Sequence, residues 1–231
     1  MGRGLPHGRP RAGPNRVTPE RAKSFIRENT ALIAPPHVPE IRLHLADEAH
    51  ELWHRTEEEL RAIGLPPPFW AFAWAGGQGL ARHVLDNPGL VEAKRVLDFA
   101  SGSGLVAIAA AKAGASDVLA ADIDPFCAAA VALNSGENGV TLAFTGEDLV
   151  GQAGEWDVVL AGDVFYDKVF AASLLPWFAA LKANGTDILV GDPGRAYLPK
   201  SGFEKLAIYE VPVTRALEDA EVKRTTVWRL T

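Results

Sequence analysis

The sequence has almost no cysteine: Cys127 is the single one in 231 residues. An intramolecular disulfide is therefore impossible, and so is a metal cluster held by several thiolates. Such scarcity suits a reducing compartment, and we expect a cytoplasmic protein. The six histidines are scattered, and although His50 and His54 are four residues apart, no third ligand lies near them in the sequence. We therefore expect no metal site.

Long apolar runs are missing as well. No stretch of eighteen or more apolar residues occurs, because charge, glycine or proline interrupts each run within the length of one strand or helix. We therefore expect no transmembrane span. The composition, 48% hydrophobic and 23% charged, is that of an ordinary globular protein. A chain of 231 residues suits one catalytic domain with an N-terminal extension.

Acidic residues are scarce at the start of the chain and abundant afterwards. Residues 1–23 hold six Lys and Arg against Glu20 alone, while the whole chain has a net charge of -6. Residues 1–17 are rich in Gly, Pro and Arg, which predicts a disordered basic arm. The acidic remainder disfavours nucleic acid and favours a cationic partner, such as a lysine-bearing protein or a positively charged cofactor. The alternative interpretation is that acidity serves solubility alone.

Residues 18–67 predict a small cap ahead of the catalytic domain, which we place at residues 68–231. Thr18 followed by Pro19 is typical of a helix start, and this helix is expected to end near Asn29. Residues 40–45 alternate polar and apolar side chains, as a half-buried strand does. Residues 46–63 space their apolar side chains as a helix does.

From Lys94 onward, short apolar segments alternate with alanine-rich helical patterns, which indicates βαβ units and a parallel sheet. The predicted strands are 95–99, 118–122, 142–145, 157–161 and 188–191, and the predicted helices are about 103–113, 125–135 and 168–182. Two further strands, 204–213 and 223–230, have no helix between them, so they should pair antiparallel. The fold class is therefore α/β and Rossmann-like, with a mixed sheet.

The segment Val96–Gly104 combines a strand, a turn of small residues and a helix start. Gly102 and Gly104 permit positive φ and let a ligand approach the backbone. Asp122 lies twenty residues after Gly102, at the end of the next predicted strand, where it is placed to accept hydrogen bonds from ribose hydroxyls. Together these residues predict an adenosine-containing ligand.

Spacing alone leaves two such ligands open, because residues 102–107 also match the G-x-G-x-x-A pattern of NAD-binding proteins. Asp98 favours the second ligand, S-adenosylmethionine, over NAD. At the end of the first strand it would repel a pyrophosphate by about 4 kcal/mol at roughly 4 Å and an effective dielectric constant of about 20. S-adenosylmethionine instead presents an ammonium and a sulfonium. The alternative is that Asp98 only caps the turn.

Two more acids follow the predicted strands. Asp124 precedes Pro125 at a helix start, which favours a helix cap over a ligand contact. Asp148, just beyond the third predicted strand, is placed either to reach an adenine amino group or to be an ordinary exposed loop acid.

If S-adenosylmethionine is the ligand and a lysine-bearing protein the partner, the expected reaction is methyl transfer to the lysine. This reaction requires a neutral amine and a site that desolvates it, since the free pKa of lysine is about 10.4. A carboxylate and an aromatic wall follow the fourth predicted strand, where Asp163 is expected to hold the amine and Tyr166 to line its channel. Asp167 is expected to cap the next helix. The aromatic stretch Pro68–Gln78, with its flexible glycines, is predicted to form a lid with Trp74 against the cofactor.

Six stretches resemble the lysine methyltransferases that modify the β-subunit of electron-transfer flavoprotein, a branch of the seven-β-strand methyltransferases. They are Pro68 to Asn87 (PFWAFAWAGGQGLARHVLDN), Val96 to Gly104 (VLDFASGSG), Ala121 to Pro125 (ADIDP), Gly162 to Asp167 (GDVFYD), Gly191 to Arg195 (GDPGR) and Thr225 to Trp228 (TTVW). ADIDP recurs in many methyltransferases, whereas GDVFYD combined with GDPGR and the first stretch is far more specific.

The resemblance implies S-adenosylmethionine as cofactor, the flavoprotein β-subunit as protein substrate and the strand order 3-2-1-4-5-7-6. It associates Trp74 with the cofactor and carries catalytic roles to Asp163 and Tyr166. The same stretches place Phe165 and Arg195 at the substrate. The full expected cofactor site consists of Trp74, Asp98, Ala100, Gly102, Gly104, Asp122, Ile123 and Asp148.

Two departures from the family pattern stand out. Ala100 occupies a position where glycine is usual, and alanine is tolerated there only if its φ is negative. Residues 35–63 match nothing specific in the family. The competing hypotheses are a related methyltransferase acting on a ribosomal protein, whose ADIDP segment and glycine turn look similar, and a nucleotide-binding module or NAD-dependent oxidoreductase.

Overall fold

The computed structural model describes residues 18–47, 67–213 and 220–231. The predicted basic arm, the pair His50 and His54, and nearly all of the helix predicted over residues 46–63 lie outside this described part. In chain order, the elements are α1 (Pro19–Asn29), β1 (Ala31–Ile33), β2 (Leu43–Leu45), α2 (Ala75–Asp86), β3 (Arg95–Phe99), α3 (Leu105–Lys112), β4 (Asp117–Ala121), α4 (Cys127–Glu137), β5 (Ala143–Thr145), β6 (Val158–Gly162), α5 (Lys168–Ala183), β7 (Asp187–Asp192), β8 (Phe203–Pro212) and β9 (Val222–Leu230).

Seven of these strands form one sheet in the order β5-β4-β3-β6-β7-β9-β8. The first five are parallel to one another, whereas β9 pairs antiparallel with both β7 and β8. Numbered from β3, this order is 3-2-1-4-5-7-6, so the expected topology and its antiparallel ending are confirmed. The seven strands match their predicted bounds to within one residue and the three predicted helices to within two.

Helices cover both faces of the sheet because its strands alternate between two cores. Val96 of β3 packs in a cluster with Leu80 of α2 and residues of α3. Its neighbour Leu97 points the other way and packs with Leu174 and Phe178 of α5. This alternation is the period-two pattern of a strand buried on both faces. None of the described helices is long and apolar enough to cross a membrane.

Asn134 of α4 and Asn138 at its C-terminal end hold the N-terminal elements to that helix by hydrogen bonds to the backbone of His44 and Arg42. Helix α1 begins where predicted, with the Thr18 hydroxyl accepting a hydrogen bond from the backbone N–H of Arg21 at 3.4 Å. Asn134 Oδ1 accepts from the backbone N–H of His44 at 2.8 Å, while its Nδ2 donates to the carbonyl of Ser103 at 2.8 Å. Buried Asn134 therefore links strand β2 directly to the glycine turn.

The glycines that follow the aromatic stretch lie in a helix, not in a flexible lid, so that part of the prediction is wrong. Gly76 and Gly77 belong to α2, which packs across the ends of β6 and β7. A Cβ built on Gly76 would overlap the carbonyl oxygen of Gly191, and one on Gly162 would lie 2.8 Å from the Cα of Gly77. These glycines permit a close backbone approach that offsets their low helix propensity.

Candidate functional site

The turn between β3 and α3 has the left-handed conformation that its glycines predict. Gly102 has a φ of 50° and Gly104 a φ of 80°. Ala100 also lies in this region, with a φ of 55°, so the expectation of a negative φ there is wrong. The turn is held to the next strand, because Ser101 donates its backbone N–H to the carbonyl of Ala121 at 3.1 Å. The constrained turn therefore imposes on Ala100 a conformation that costs an L-residue about 1–2 kcal/mol.

Asp122 meets this turn at the C-terminal edge of the sheet. Its Oδ2 accepts a hydrogen bond from the N–H of Gly102 at 2.9 Å, and its Oδ1 accepts from the N–H of Asp124 at 3.0 Å. The side chain of the next residue, Ile123, is 72% exposed. A carboxylate, an exposed apolar side chain and a glycine turn thus adjoin one another, as the sequence predicts. The ribose contact itself stays a prediction.

Asp98 is buried below the turn and bonds to the protein backbone. The residue is 1% exposed, and its Oδ2 accepts from the N–H of Ala107 in α3 at 2.8 Å. Burial raises the pKa of Asp98 to about 8, the nearby charge of Asp122 adds to the rise, and the Ala107 bond opposes it. Asp98 therefore fixes the start of α3. With this raised pKa the carboxyl is mostly protonated at neutral pH, so it acts on a ligand through the turn and not through a full negative charge.

The other two acids near the turn have different surroundings. Asp124 Oδ1 accepts from the N–H of Phe126 at 2.8 Å and stabilises the turn before α4. The helix itself begins at Cys127 with Phe126 as its N-cap, so the predicted helix cap at Asp124 is wrong. Burial raises the pKa of Asp124 to about 6. Asp148 is exposed, and its Oδ1 accepts from the N–H of Val150 at 3.0 Å. Its contact with an adenine stays a prediction.

Aromatic rings line the surface between the turn and the end of β6. Trp74 donates its Nε1–H to the carbonyl of Phe69 at 3.0 Å, and these two rings lie 5.9 Å apart. Phe69 is also 6.2 Å from the ring of Tyr166, which is 54% exposed. Partial burial raises the pKa of the Tyr166 hydroxyl, with smaller contributions from Asp122 and Asp167, so this hydroxyl is protonated at neutral pH. The predicted aromatic side chains therefore lie together, and their contact with an acceptor stays a prediction.

Asp163 lies at the centre of a cluster that joins three separate segments of the chain. It is 8% exposed and has a φ of 58°, a strained conformation of the kind found at functional sites. Its Oδ1 accepts from Nε and Nη2 of Arg195 at 2.9 and 2.6 Å, and its Oδ2 accepts from the N–H of Gly77 at 3.0 Å. The Arg195 guanidinium also lies 5.7 Å from the centre of the Trp74 ring. Asp163 thus already has a cation as its partner, and this pairing does not support the expectation that Asp163 itself holds the acceptor amine.

The sequence did not predict the pairing of Asp163 with Arg195, although each was assigned to the site. The two residues are 32 positions apart, one after β6 and one after β7. These strands are parallel neighbours, so their carboxyl ends meet at one edge. An acid and an arginine directly beyond two neighbouring strands is the sequence pattern that would have revealed the pair.

Phe165 and Asp167, the two other predicted residues after β6, serve the fold itself: one packs in the core and the other caps a helix. Phe165, expected at the substrate, is 0% exposed and packs edge-on against Phe203 at 6.1 Å. Its chain turns inward after β6, which places the ring in the core and does not support a direct substrate contact. Asp167 caps α5 as predicted, because its Oδ1 accepts from the N–H groups of Val169 and Phe170 at 2.9 and 2.8 Å. Within the described ranges, no group of three His, Cys, Asp or Glu is arranged to hold a metal ion.

Comparison with known proteins gives consistent matches. A family model described as "Ribosomal protein L11 methyltransferase (PrmA)" matches residues 82–188. The chain is 39% identical to the electron transfer flavoprotein beta subunit lysine methyltransferase of Xenopus laevis over 93% of its own length and 89% of that protein. It is 36% identical to the Homo sapiens protein of the same name, over 89% of this chain and 80% of the relative.

More distant matches cover less of the chain. The ribosomal protein L11 methyltransferase of Dechloromonas aromatica is 39% identical but covers 47% of this chain and 37% of its own length. Among solved structures, magnesium protoporphyrin IX methyltransferase of Synechocystis with bound S-adenosylhomocysteine aligns with a TM-score of 0.50 and 18% identity, covering 67% of this chain and 81% of that one. This structural likeness bears on the fold alone, and it confirms the class I methyltransferase architecture.

Proposed function

Because this chain belongs to the family of electron transfer flavoprotein β-subunit lysine methyltransferases, we propose that it transfers methyl groups from S-adenosylmethionine to lysine side chains of that β-subunit. The observation that carries the proposal is the extent of the match to that family. It spans the N-terminal cap as well as the sheet, whereas the ribosomal methyltransferase matches about half of the chain. A cytoplasmic location and the division into arm, cap and catalytic domain belong to the same proposal.

The residues at the glycine turn fit S-adenosylmethionine. Gly102 and Gly104 have the positive φ that closes this turn at the end of β3, and Asp122 presents a carboxylate bonded to the N–H of Gly102. In this proposal, Asp122 holds the ribose, exposed Ile123 covers one face of the adenine, and Asp148 accepts from the adenine amino group. Trp74 and the segment around Ala100 border the methionine end. When bound, the cofactor supplies a methyl group made electrophilic by its sulfonium.

The Asp163–Arg195 pair acts on the charge of the acceptor lysine. An unpaired carboxylate would stabilise an ammonium and hold the lysine in its unreactive form. Arg195 neutralises Asp163 instead, so the pair has no net negative charge with which to hold an ammonium. The incoming lysine therefore loses its proton more readily. Asp163 positions Arg195 and, through Gly77, the start of α2.

The aromatic residues position and desolvate the amine. Phe69, Trp74 and Tyr166 together form an apolar wall beside the ion pair. A wall of this kind excludes water and limits the directions from which the amine approaches, which is where most of the rate acceleration in such a displacement arises. The protonated Tyr166 hydroxyl can also accept a hydrogen bond from the amine and orient its lone pair.

The test is a transfer assay with radiolabelled S-adenosylmethionine and two protein substrates supplied in parallel, the flavoprotein β-subunit and ribosomal protein L11. We expect label on lysines of the β-subunit and none above background on L11. Label on L11 alone would reject the proposed substrate and support the second candidate function, which the family-model match over residues 82–188 favours.

A further inference from the structure

A groove lies on the far edge of the sheet, beside the loop that carries Arg195. Its volume is about 260 Å³, enough to admit a side chain. The walls are formed by residues of β8 and β9 together with one residue of the preceding loop, namely Lys205, Ile208, Arg224, Thr226, Trp228 and Leu198. Asp192 and Gly194 complete the lining at the end nearest the ion pair.

A bulge in β8 gives the groove its combination of residues. The register pairs Lys205 with Trp228 and Ile208 with Thr226, and it shifts between Lys205 and Ala207. In a regular strand, side chains three positions apart point to opposite faces. The extra residue in the bulge brings the Lys205 and Ile208 side chains to the same face. The groove consequently has both a cationic and an apolar wall.

The groove is cationic although the chain as a whole has a net charge of -6. In the part of the chain that the structure describes, no ion pair within 4 Å is found for Lys205 or Arg224, whereas Arg82, Arg95, Arg195 and Arg229 each have at least one. Lys205 Nζ instead lies 5.6 Å from the centre of the Trp228 ring. Two acids are near: Glu210 opposes Arg224 in the register, and Asp192 is buried.

The groove is joined to the acceptor site by one short loop. Asp192 Oδ1 accepts from the backbone N–H groups of Gly194 and Arg195, at 2.6 and 2.7 Å. The side chain of the same Arg195 reaches Asp163. A folded protein that presents a lysine to Asp163 and Arg195 can therefore extend over the groove as well.

We propose that this groove binds an acidic side chain, with an apolar neighbour, on the surface of the protein substrate, and so selects which lysine reaches the acceptor site. Lys205 and Arg224 pair with the carboxylate, while Trp228, Ile208 and Leu198 contact the apolar neighbour. Arginine and tryptophan are the residues that most often dominate the binding energy of protein interfaces. This inference rests on the proposed function and adds to it the feature of the substrate that is recognised.

The experiment measures steady-state methylation of the flavoprotein β-subunit by the unaltered chain and by the variants Arg224→Glu and Lys205→Glu. Arg42→Glu is the charge-matched control, because exposed Arg42 precedes β2, which packs on α4 toward the opposite end of the sheet. We expect both groove variants to raise the KM for the protein substrate at least about tenfold. The KM for S-adenosylmethionine and the kcat should change less than about twofold, and the control should match the unaltered chain.

Salt provides a second readout. The KM of the unaltered chain for its protein substrate should rise with ionic strength, and this rise should be shallower in Arg224→Glu. An unchanged KM in both groove variants, or an equal rise of the KM in Arg42→Glu, overturns the proposal that the groove binds the protein substrate. Either result leaves the proposed function intact. Absence of transfer by the unaltered chain overturns the proposed function, and the inference with it.

Discussion

At the scale of single residues, we propose that the ion pair of Asp163 and Arg195 sets the charge that an acceptor lysine meets. Replacing Arg195 by Gln leaves a carboxylate that is 8% exposed without its cation. We expect kcat to fall about 10- to 100-fold, because small misplacements at a reacting centre cost that much. The carboxylate would now favour the protonated amine, so the activity should rise with pH at a higher pH than in the unaltered chain.

The measurement is a pH profile of kcat for Arg195→Gln and for Arg195→Lys, which keeps the charge and serves as the control. The lysine variant should retain a profile close to that of the unaltered chain. If Arg195→Gln is slower but its profile does not move, Arg195 has only a structural role.

Asp98 makes the stability of the protein depend on pH. Its pKa rises from 3.8 to about 8 on folding, mainly because of burial. A raised pKa means that the folded state keeps a proton that the unfolded chain has lost, so stability is full below about pH 4 and declines as the pH rises toward 8. In Asp98→Asn this contribution is absent.

We therefore predict that the melting temperature of the unaltered chain falls more steeply between pH 5 and pH 8 than that of Asp98→Asn. Asp124, whose pKa is also raised, is present in both proteins and cancels in the comparison. Thermal unfolding at a series of pH values measures this difference. Parallel curves for the two proteins would show that Asp98 is ionised throughout.

At the scale of elements, helix α2 depends on glycines where the chain crosses the strand ends. Gly76→Ala introduces a methyl group against the carbonyl of Gly191 and the carboxylate of Asp163. We expect the free energy of unfolding to fall by about 1–3 kcal/mol, as for other overpacked sites.

Gly136→Ala is the matched control, since Gly136 lies in α4 and a Cβ there meets nothing within 4 Å. It should stabilise the protein by about 0.5–1 kcal/mol. Denaturant unfolding measures the free energy of unfolding of both variants. Equal changes in the two variants would mean that α2 does not pack closely on β6 and β7.

The elements that the sequence predicts are those with a local cause. Short apolar or β-rich segments predict β3 through β9, and Asp167 and Thr18 mark helix starts by their own hydrogen bonds. Helix α2 was missed because its glycines disfavour a helix in isolation, and only its long-range packing explains them. The positive φ of Ala100, the inward turn at Phe165 and the bond between Asp163 and Arg195 likewise depend on contacts between distant segments.

At the scale of the whole molecule, one edge of the sheet gathers the glycine turn, the ion pair and the aromatic wall. Parallel strands bring all their carboxyl ends to this edge, and the antiparallel pair β8 and β9 extends it to the cationic groove. In the proposed function, the cofactor therefore lies at the ends of β3 and β4, the acceptor lysine lies beyond β6 and β7, and the protein substrate docks on β8 and β9.

The claim on which all three regions depend is that the turn after β3 takes a positively charged nucleoside without phosphates. Calorimetric titration of the purified chain with S-adenosylmethionine, and separately with NAD, measures this directly. The account predicts saturable binding of S-adenosylmethionine with a stoichiometry of one and no detectable heat of binding for NAD. Binding of NAD in place of S-adenosylmethionine would contradict it.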